Sequence, residues 1–526
     1  MLRPLTLVLA TVSILPAANP FQPVIAPNGV VNAASYYTQA FPRFGIARGS
    51  MFLIFGSALG PVDLVQSSSF PLPTSEGLAG TQVLITVGGY NAAAPIVYTS
   101  INQVAAIMPS NAPEGDGTLV LRYQNFATQS YPIHIVRSAF GVFTRNQGGS
   151  GPAIVQNFVS QTSTPLNSIA NSATPGQTVI LWGSGLGPVN GDETAGPLPG
   201  ALATVDAVYV GGIQANVRYA GRSGCCAAVD QIDFDVPAGV SGCYVPVAVV
   251  TGGVVSNVGT MSIAASGGTC DDPLGVRSAS IAAAQRNGTF RSGQINLVGM
   301  SSGEVDISGT FNTTDFNTFA ADASRVNMPL GSCGLFVSRT DATAAQTTGG
   351  LNAGPSVMIS GPVGTVMVGN TSSGGYLTVQ TPATLGQGTY TITGSGGSDV
   401  GPFTASVNLA PAATWTNLSA FKVSALSPSN PLTFTWSGAD PTGFVTLRIA
   451  SANAIYNSEI RCNVAASAGS FTIPAWLAST IYAGPLAVSL GSNSAPVAFS
   501  ATGLDAGMIT AGTNTSVQTT MSAVAQ

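Results

Sequence analysis

The residues that could carry acid–base or nucleophilic chemistry are few in this sequence. The one histidine, His134, lies in the strand-like stretch YPIHIV. A Ser-His-Asp or Cys-His catalytic site needs a histidine held by a carboxylate, so a structural histidine is the simpler interpretation. Neither an HExxH motif nor a pair of CxxC motifs occurs, which argues against zinc chemistry. We therefore expect no catalytic residue, no metal site and no bound cofactor.

Carboxylates are the remaining candidates, because a glycosidase needs only two of them. Asp230, Asp233 and Asp235 cluster in DQIDFDVP, where residues of alternating polarity predict a strand with one wet face. We interpret the cluster as solvated, with a calcium site as the alternative. The loop pairs Asp192–Glu193 and Asp271–Asp272 could also bind calcium, although neither has the spacing of an EF-hand.

Cysteine chemistry depends on the compartment, which the first residues indicate. MLRPLTLVLATVSILPAANP combines Arg3, an apolar run from Leu5 to Leu15, and small residues at Ala17 and Ala18. This pattern predicts a signal peptide over residues 1–18, and its apolar run is too short for a membrane-spanning helix. The protein is thus expected to be secreted, extracellular or at the cell surface, where cysteines form disulfides.

The six cysteines are candidates for structural disulfides, and six cysteines allow 15 connectivities. Cys225 and Cys226 are adjacent, and on an extended segment their side chains point to opposite faces. Each is therefore expected to find a different partner, with Cys243 and Cys270 the nearest choices. Cys333 and Cys462 then remain to join two distant parts of the C-terminal half.

Composition sets the fold class. Charged residues make up 7% of the chain, against a usual value of about 25%, and Lys422 is the one lysine. Long amphipathic helices need more charge than this for their wet face, so we predict an all-β protein. The net charge of −5 is spread thinly and no basic run occurs, which excludes nucleic acid as the expected partner. A surface with so little charge repulsion favours self-association.

An internal repeat organises the first half. FGSALGP at Phe55 to Pro61 returns as WGSGLGP at Trp182 to Pro188, and ITVGGYNAAAPIVY and NQVAAIMP return as VYVGGIQANVRY and DQIDFDVP. A duplication of roughly 125 residues is the simplest account. Short strands separated by glycine turns predict a β-sandwich in each copy, with Phe55 and Trp182 as matching core aromatics. The first copy lacks the acids of DQIDFDVP, which favours the solvated interpretation.

These motifs, together with GVVNAASY at Gly29 to Tyr36, resemble the secreted acidobacterial C-terminal domain family, a duplicated immunoglobulin-like module similar to IPT/TIG domains. The resemblance covers about residues 27–265. It implies two sandwiches, copy 1 at 27–140 and copy 2 at 141–265, and an extracellular location. It implies no catalytic residues. The long extension after the module departs from the usual C-terminal position of this family.

The second half continues in β-like patterns without the repeat. We expect a β-rich unit at 274–345 with a short helix around Thr314–Ala323, and a small sandwich at 346–410. An immunoglobulin or fibronectin-III-like sandwich should follow at 411–510 with Trp436 inward, and then a flexible tail at 511–526. The similar segments LNAGPSVMISG and GLDAGMITAG could be first and last strands of one composite domain. The whole chain is then a series of tandem immunoglobulin-like β-sandwiches.

Two functional hypotheses follow. The first is a non-enzymatic, secreted or cell-surface protein for adhesion, matrix binding or extracellular assembly, with an extracellular protein or polysaccharide as partner. The alternative is a carbohydrate-binding or weakly glycoside-active protein whose sugar platform would lie in 274–500. Exposed aromatic side chains make such platforms, and Trp415 and Trp476 are the candidates.

Overall fold

The computed structural model describes residues 22–38, 41–43, 45–271, 276, 278–301, 304–340, 347–372, 374–380, 385–423 and 425–523. The predicted signal peptide, residues 1–18, lies outside this part of the chain. The described residues form four β-sandwich units, numbered here in the order in which the chain first enters them.

Unit 1 is a sandwich of two sheets with the strand orders β1-β3-β8-β7-β4 and β2-β11-β9-β5-β6, and β10 pairs with β9. Its strands are β1 (Val24–Asn32), β2 (Ile46–Ala47), β3 (Met51–Ser57), β4 (Val65–Gln66), β5 (Thr81–Val87), β6 (Tyr90–Ala93), β7 (Ile96–Thr99), β8 (Gln103–Ile107), β9 (Gly115–Tyr123), β10 (Phe126–Ala127) and β11 (Tyr131–Val136).

Unit 2 repeats this architecture. Its strands are β12 (Gly141–Val142), β13 (Gly151–Pro152), β14 (Val155–Asn157), β15 (Thr178–Ser184), β16 (Gly200–Ala201), β17 (Val205–Val210), β18 (Ile213–Gln214), β19 (Asn216–Arg222), β20 (Asp230–Asp235), β21 (Gly242–Thr251), β22 (Val254–Val255) and β23 (Gly259–Ile263). The orders β12-β15-β20-β19-β16 and β13-β23-β21-β17-β18 match those of unit 1, with β22 on β21 as β10 is on β9, and unit 2 has one additional strand, β14, on β15. A gene-level duplication would produce this correspondence.

The glycine pair of each VGG motif makes the same turn in both units. Gly88 and Gly89 lie between β5 and β6 with φ of 52° and 83°, and Gly211 and Gly212 lie between β17 and β18 with φ of 59° and 84°. A two-residue hairpin turn with positive φ at both central positions suits the twist of the flanking strands. The VGG motifs therefore form the glycine turns that the sequence pattern predicts.

The core aromatics of the two copies differ from the expectation. Phe55 and Trp182 are only half-buried, and the Trp182 Nε1–H donates to Gln156 Oε1 at 2.8 Å. The buried residues of these strands include Phe52 and Ile54 in unit 1 and their counterparts Val179 and Leu181 in unit 2. Since neighbouring side chains of a strand face opposite sides of the sheet, the prediction of Phe55 and Trp182 as core residues was one position out.

The second half contains most of the longer elements. They are α1 (Ser278–Asn287), β24 (Thr289–Met300), β25 (Val305–Asp315), α2 (Phe316–Val326), β26 (Ser332–Arg339), β27 (Thr347–Gly350), β28 (Ser356–Gly361), β29 (Gly364–Ser372), β30 (Gly375–Gln380), β31 (Gly388–Gly394), β32 (Phe403–Leu409), β33 (Thr414–Trp415), β34 (Leu432–Ser437), β35 (Phe444–Ala452), β36 (Tyr456–Ala465), β37 (Ser470–Ile473), α3 (Ala475–Ala478), β38 (Gly484–Asn493), β39 (Val497–Phe499) and β40 (Ala506–Met521). Two short 3-10 helices span Leu418–Phe421 and Ala466–Ala468.

One 14-stranded sheet runs through this half in the order β26-β36-β35-β38-β40-β24-β25-β30-β29-β28-β31-β32, with β27 on β25 and β39 on β40. Unit 3 comprises β24, β25, β27 to β32, β39 and the first part of β40, and these strands share one hydrophobic core. Unit 4 comprises β26, β33 to β38 and the second part of β40, and the three-stranded sheet β33-β34-β37 completes its sandwich.

The chain therefore crosses between units 3 and 4 several times, which differs from the expected sequential domains at 274–345, 346–410 and 411–510. Strands β24 and β25 belong to unit 3, whereas β26, from the same predicted domain, belongs to unit 4. A strand pattern shows which face is buried but not which sheet edge the strand joins. The segments around Leu351 and Ile509 do lie in the same unit 3 core.

The predicted flexible tail at 511–526 is also different in the structure. Strand β40 runs from Ala506 to Met521. Its first part pairs in parallel with β24, from Ala506 to Asn514, and its second part pairs antiparallel with β38, up to Met521. The prediction of a flexible tail is therefore wrong for residues 511–521, whose frequent Thr also suits a strand.

Two helices lie between the sandwiches. Helix α2 begins at Phe316, close to the predicted Thr314–Ala323, and Asp315 caps it by accepting the Thr318 N–H at 3.0 Å. Helix α1 was not predicted from the sequence. Its segment SASIAAAQRN has only Ile281 and Ala284 buried, so it lacks the wide apolar stripe that marks an amphipathic helix.

Two disulfides cross-link the fold. Cys333 and Cys462 are directly opposite each other on β26 and β36, as the sequence analysis expected of this pair. Cys243 joins Cys270, whereas Cys225 and Cys226 are free and exposed. The expected pairing of the adjacent cysteines with Cys243 and Cys270 is therefore wrong, because β21 brings Cys243 to the segment after β23 instead. The architecture is all-β, built from immunoglobulin-like sandwiches.

The Cys333–Cys462 bond closes a loop with a sequence separation of 129 that contains most of unit 3. The double variant Cys333→Ala/Cys462→Ala should lose up to roughly 5 kcal/mol of unfolding free energy, because the unfolded chain regains the entropy of that loop. Urea unfolding followed by fluorescence measures this loss. The double variant Cys225→Ala/Cys226→Ala is the matched control, and an equal loss in both would contradict the assignment.

Candidate functional site

The carboxylate of Asp230 is buried in an ion-pair network, so the interpretation of this residue as solvated is wrong. Arg222 Nε–H donates to Asp230 Oδ1 at 2.7 Å and its Nη1 donates to Glu193 Oε1 at 2.7 Å. The side chains of Arg222 and Asp230 are 1% and 0% exposed. Burial raises the pKa of Asp230, and Arg222 with the neighbouring N–H groups opposes that shift. No substrate in solution can reach this carboxylate.

The same network explains the second copy of the repeated heptad. Asp230 Oδ2 accepts the N–H groups of Gly185 and Leu186, both at 2.7 Å, and Arg222 Nη2 donates to the carbonyl of Gly187 at 3.0 Å. The charged pair thus holds the backbone of the heptad where it leaves strand β15. In the first copy, Asn102 occupies the position of Asp230, so the network belongs to unit 2 alone.

The network also joins unit 2 to unit 1. Glu193 Oε2 accepts the backbone N–H of Ser110 at 3.2 Å, and the Ser110 hydroxyl accepts the N–H of Val189 at 3.0 Å. Nearby, the N–H of Met51 donates to Ser184 Oγ at 2.9 Å. Glu193, one of the acidic residues singled out in the sequence, therefore helps to fix the two copies against each other.

Replacing Arg222 tests this structural role. Arg222→Ala leaves the carboxylates of Asp230 and Glu193 buried without a cation, and the unfolding free energy should fall by about 3 to 5 kcal/mol. Arg218 provides a matched control, because it pairs with Asp235 at 2.7 Å while 62% exposed. Arg218→Ala should cost less than about 1 kcal/mol. Chemical denaturation of both variants measures the difference. Similar losses of unfolding free energy would contradict the structural role of Arg222.

Asp272 lies outside the described residues, and the other candidates are at least partly exposed: Asp192, Asp233, Asp235, Asp271 and His134. Asp235 accepts hydrogen bonds from Asn216, Thr178 and Arg218, which lower its pKa. His134 Nδ1 lies 2.7 Å from Asp116 Oδ1, and the Asp116 side chain is 93% exposed. A triad aspartate is buried and orients the histidine toward a nucleophile, so this exposed pair does not have a triad's geometry. Asp192 accepts the N–H and hydroxyl of Thr194 within its loop.

The tryptophans proposed as a sugar platform are covered by other side chains. Trp415 is buried at 6% exposure. Trp476 stacks on Tyr209 of unit 2 with ring centroids 4.4 Å apart and an interplanar angle of 6°. Trp436 is buried and its Nε1–H donates to the carbonyl of Ala466 at 2.8 Å, as predicted. Neither Trp415 nor Trp476 therefore presents a free ring to a ligand.

The two free cysteines have different environments. The Cys225 thiol lies 3.3 Å from the hydroxyl of Ser223. Partial burial, and then the hydrogen bond and charge of Cys225, raise the pKa of the Cys226 thiol to about 11. Since the thiolate is the reactive form, Cys226 is expected to react slowly at neutral pH.

Alkylation of the native protein tests this assignment. Iodoacetamide should label Cys225 and Cys226 and leave the other four cysteines unlabelled, and the rate at Cys226 should rise as the pH approaches its pKa of about 11. Peptide mass spectrometry identifies the labelled residues. Label on Cys243 or Cys270 before reduction would show a different connectivity.

A large cleft lies where unit 1, unit 2 and unit 4 meet. Its volume is about 1060 Å³. The outer face of the unit 4 sheet forms one wall, with residues of β26, β35, β36, β38 and β40. Tyr36 and its neighbours in unit 1, residues 146–148 and 150 in unit 2, and helix α2 form the others. Pockets that bind small ligands usually measure about 300 to 1,000 Å³, so the size suits a ligand.

The walls of the cleft are held by buried contacts between units. Tyr37 stacks on Phe41 at 3.8 Å between ring centroids, and Phe41 meets Tyr482 of unit 4 edge-on at 5.6 Å. The Tyr456 hydroxyl donates to Thr38 Oγ1 at 2.8 Å. On the other side, Arg339 Nη1 donates to the Asn28 carbonyl of unit 1 at 2.9 Å. These contacts fix unit 1 against unit 4.

Three guanidinium groups surround the carboxylate of Glu459 at the wall of this cleft, and two of them, those of Arg325 and Arg448, belong to residues that line it. Arg448 Nη2 and Arg325 Nη2 both donate to Glu459 Oε2, at 2.6 and 2.8 Å, and Arg461 Nη1 lies 3.9 Å from Glu459 Oε1. The side chains of Arg448 and Arg325 are 42% and 47% exposed, whereas Glu459 is 6% exposed. We call these four residues the arginine cluster. Its net charge is positive although the whole chain is acidic.

The pKa values of the cluster follow from this charge excess. Burial raises the pKa of Glu459, but Arg448 and Arg325 outweigh burial and hold it below its usual value. Burial, together with the charges of Arg448 and Arg325, lowers the pKa of Arg461 to about 10. Glu459 is thus ionised at neutral pH, and it leaves positive charge in the cleft uncompensated.

Sequence reasoning missed this cluster. The arginines come from α2, β35 and β36, and each stands alone in the sequence, so no basic run marks them. One signal was present, because Glu459 and Arg461 are spaced by two in a strand and must share a face. The expectation that no basic cluster exists held for the sequence alone and fails for the folded chain.

Comparisons with known proteins give no family. No family model and no curated protein matches the chain. Among solved structures, a tetra-tandem repeat in the extending region of a large adhesion protein is 12% identical over 95% of this chain and 100% of that chain, with a TM-score of 0.14. The Bacteroides ovatus mixed-linkage glucan utilization locus protein SGBP-B, in complex with a mixed-linkage heptasaccharide, is 13% identical over 86% and 91%, with a TM-score of 0.13.

Surface-layer protein SbsC, domains 4–9, is 12% identical over 95% of this chain and 66% of that chain, with a TM-score of 0.17. TM-scores this low carry no argument about function. In the part of the chain that the structure describes, every helix is too short or too polar to cross a membrane.

Proposed function

We propose that the protein is a secreted or cell-surface, non-enzymatic binding protein that acts in adhesion, matrix binding or extracellular assembly. The observation that carries this proposal is the cleft at the junction of units 1, 2 and 4, whose walls are held by buried contacts between units. A rigid cleft with partly exposed charged groups is a binding site, because its ligand contacts are already in place before the ligand arrives.

The extracellular location rests on the signal-like first residues and on the disulfides. Cys243–Cys270 and Cys333–Cys462 are formed, and disulfides persist in oxidising compartments such as the cell exterior. The resemblance of residues 27–265 to the secreted acidobacterial C-terminal domain family agrees with this location.

The non-enzymatic part of the proposal rests on the carboxylates of the cleft. Glu459 is the sole carboxylate among the described residues that line the cleft. Its carboxylate is already paired with the guanidinium groups of Arg325 and Arg448. Glycoside hydrolysis needs two carboxyl groups across the scissile bond. Binding without hydrolysis is thus the function that this geometry favours over the weakly glycoside-active alternative.

A co-sedimentation experiment tests the proposal. The full chain, mixed with insoluble extracellular matrix from the producing cells, should be retained with the matrix, because its rigid cleft presents a preformed binding surface. The amount of reducing sugar should stay unchanged during the incubation. A sample reduced, alkylated and unfolded is the control and should stay in the supernatant. Equal retention of native and unfolded chain, or release of sugar, would overturn the proposal.

A further inference from the structure

We propose that the cleft binds a carboxylated glycan, a polymer of uronic acids, and that Arg448 and Arg325 hold its carboxylate groups. This inference rests on the proposed binding function and names the ligand of the same cleft. Four observations support this ligand: the charge of the arginine cluster, its cost to the fold, the neutral groups around it, and its exposure.

The first step is charge. Three guanidinium groups face a single carboxylate, so the cluster carries two uncompensated positive charges at neutral pH. Arg339 lines the same cleft. Arginine presents a planar fork of donors that matches a carboxylate, and such charge-assisted pairs are stronger than neutral hydrogen bonds. A carboxylate in the cleft would therefore neutralise charge that the protein leaves open.

The second step is the cost of this arrangement to the fold. Arg448 and Arg461 are directly opposite each other on the adjacent strands β35 and β36. Like charges in this position destabilise a sheet, and buried Nε groups of both arginines have no hydrogen-bond partner. Places where a local rule of sheet structure is broken are expected at functional sites. Binding of an anion would offset part of the repulsion between these arginines.

The third step is the chemistry around the cluster. Ser338 and Asn457 are cross-strand partners on β26 and β36. Together with Gln147 of unit 2 and Gln518 of β40, they line the cleft and are exposed. Hydroxyl and amide groups both donate and accept hydrogen bonds, which suits the hydroxyl groups of a sugar. An acidic peptide would need apolar side-chain pockets in addition, and this exposed polar lining favours the glycan.

The fourth step is exposure. Arg448 and Arg325 are 42% and 47% exposed, and the cleft volume of about 1060 Å³ is enough for more than a single small ion. The half-buried ring of Phe336 lies beside Arg325, whose guanidinium carbon is 5.8 Å from the ring centroid. Such a ring holds the guanidinium through a cation–π contact, which positions it toward the cleft.

Affinity electrophoresis of the full chain in gels containing polygalacturonate, dextran or polyglutamate tests the proposal. Polygalacturonate should retard the wild-type protein, whereas dextran should not. Arg448→Gln should raise the dissociation constant for polygalacturonate about tenfold or more, the size expected for one charge-assisted pair. Glu459 keeps Arg325 and Arg461 in this variant, so the fold should persist, which thermal unfolding checks.

Two further variants separate a specific site from general attraction. Arg218→Gln removes an exposed arginine on unit 2 and should change the dissociation constant by less than about twofold, as a surface ion pair contributes little. Glu459→Gln removes the competing carboxylate and should tighten binding of polygalacturonate. Opposite effects of Arg448→Gln and Glu459→Gln are not expected from a merely structural cluster.

Several outcomes would overturn the inference. They are equal losses in Arg448→Gln and Arg218→Gln, retardation by polyglutamate equal to that by polygalacturonate, and no retardation at all. If the wild-type chain and Arg448→Gln sediment equally with native matrix, the glycan assignment fails while the proposed binding function stands. If the wild-type chain does not sediment with matrix, the binding function itself fails.

Discussion

Strand β40 is the constraint on which the second half of the molecule depends. It pairs in parallel with β24 over Ala506–Asn514 and antiparallel with β38 up to Met521. Because every backbone group of a buried strand needs a partner, units 3 and 4 cannot form completely without it. The Cys333–Cys462 bond also holds units 3 and 4 together. It joins β26 to β36, and most of unit 3 lies between these two strands in the sequence. The two units therefore form one continuous sheet, and its unit 4 end provides the wall of the cleft.

Charged residues are few in this chain, so the role of each buried charged side chain can be inferred from the groups that it contacts. Arg222 is fully buried, and its two carboxylate partners and the Gly187 carbonyl satisfy it. The buried polar atoms of this network are hydrogen-bonded, and it touches both copies of the repeat and is closed to solvent, as expected of a structural element. The arginine cluster differs in three respects. The buried Nε groups of Arg448 and Arg461 have no hydrogen-bond partner, its outer guanidinium groups are exposed, and it faces a cleft. The contrast within one chain is the reason to assign structure to the first and binding to the second.

Much of the fold was readable from the sequence because it depends on local patterns. The repeated heptads and VGG turns predicted two equivalent sandwiches, and both have the same strand order. The alternation in β20 placed Ile232 and Phe234 inside and Asp233 and Asp235 half-exposed. The same reasoning failed by one position for Phe55 and Trp182. Alternation also places Asp230 on the buried face with Ile232 and Phe234, but the pattern does not show that Arg222 would be there to pair with a buried carboxylate.

The sequence by itself determined the all-β class, the duplication, and the burial of residues such as Trp436, since side-chain period and turn chemistry are properties of short segments. Tertiary structure alone decided the partners of Cys225, Cys226, Cys243 and Cys270, the sharing of β40 between units, and the arginine cluster. Each of these depends on which distant strands become neighbours, and sheet pairing leaves no mark in the local pattern. Arg325 and Arg448 meet at Glu459 only because α2 packs against a sheet whose strands come from both sides of unit 3.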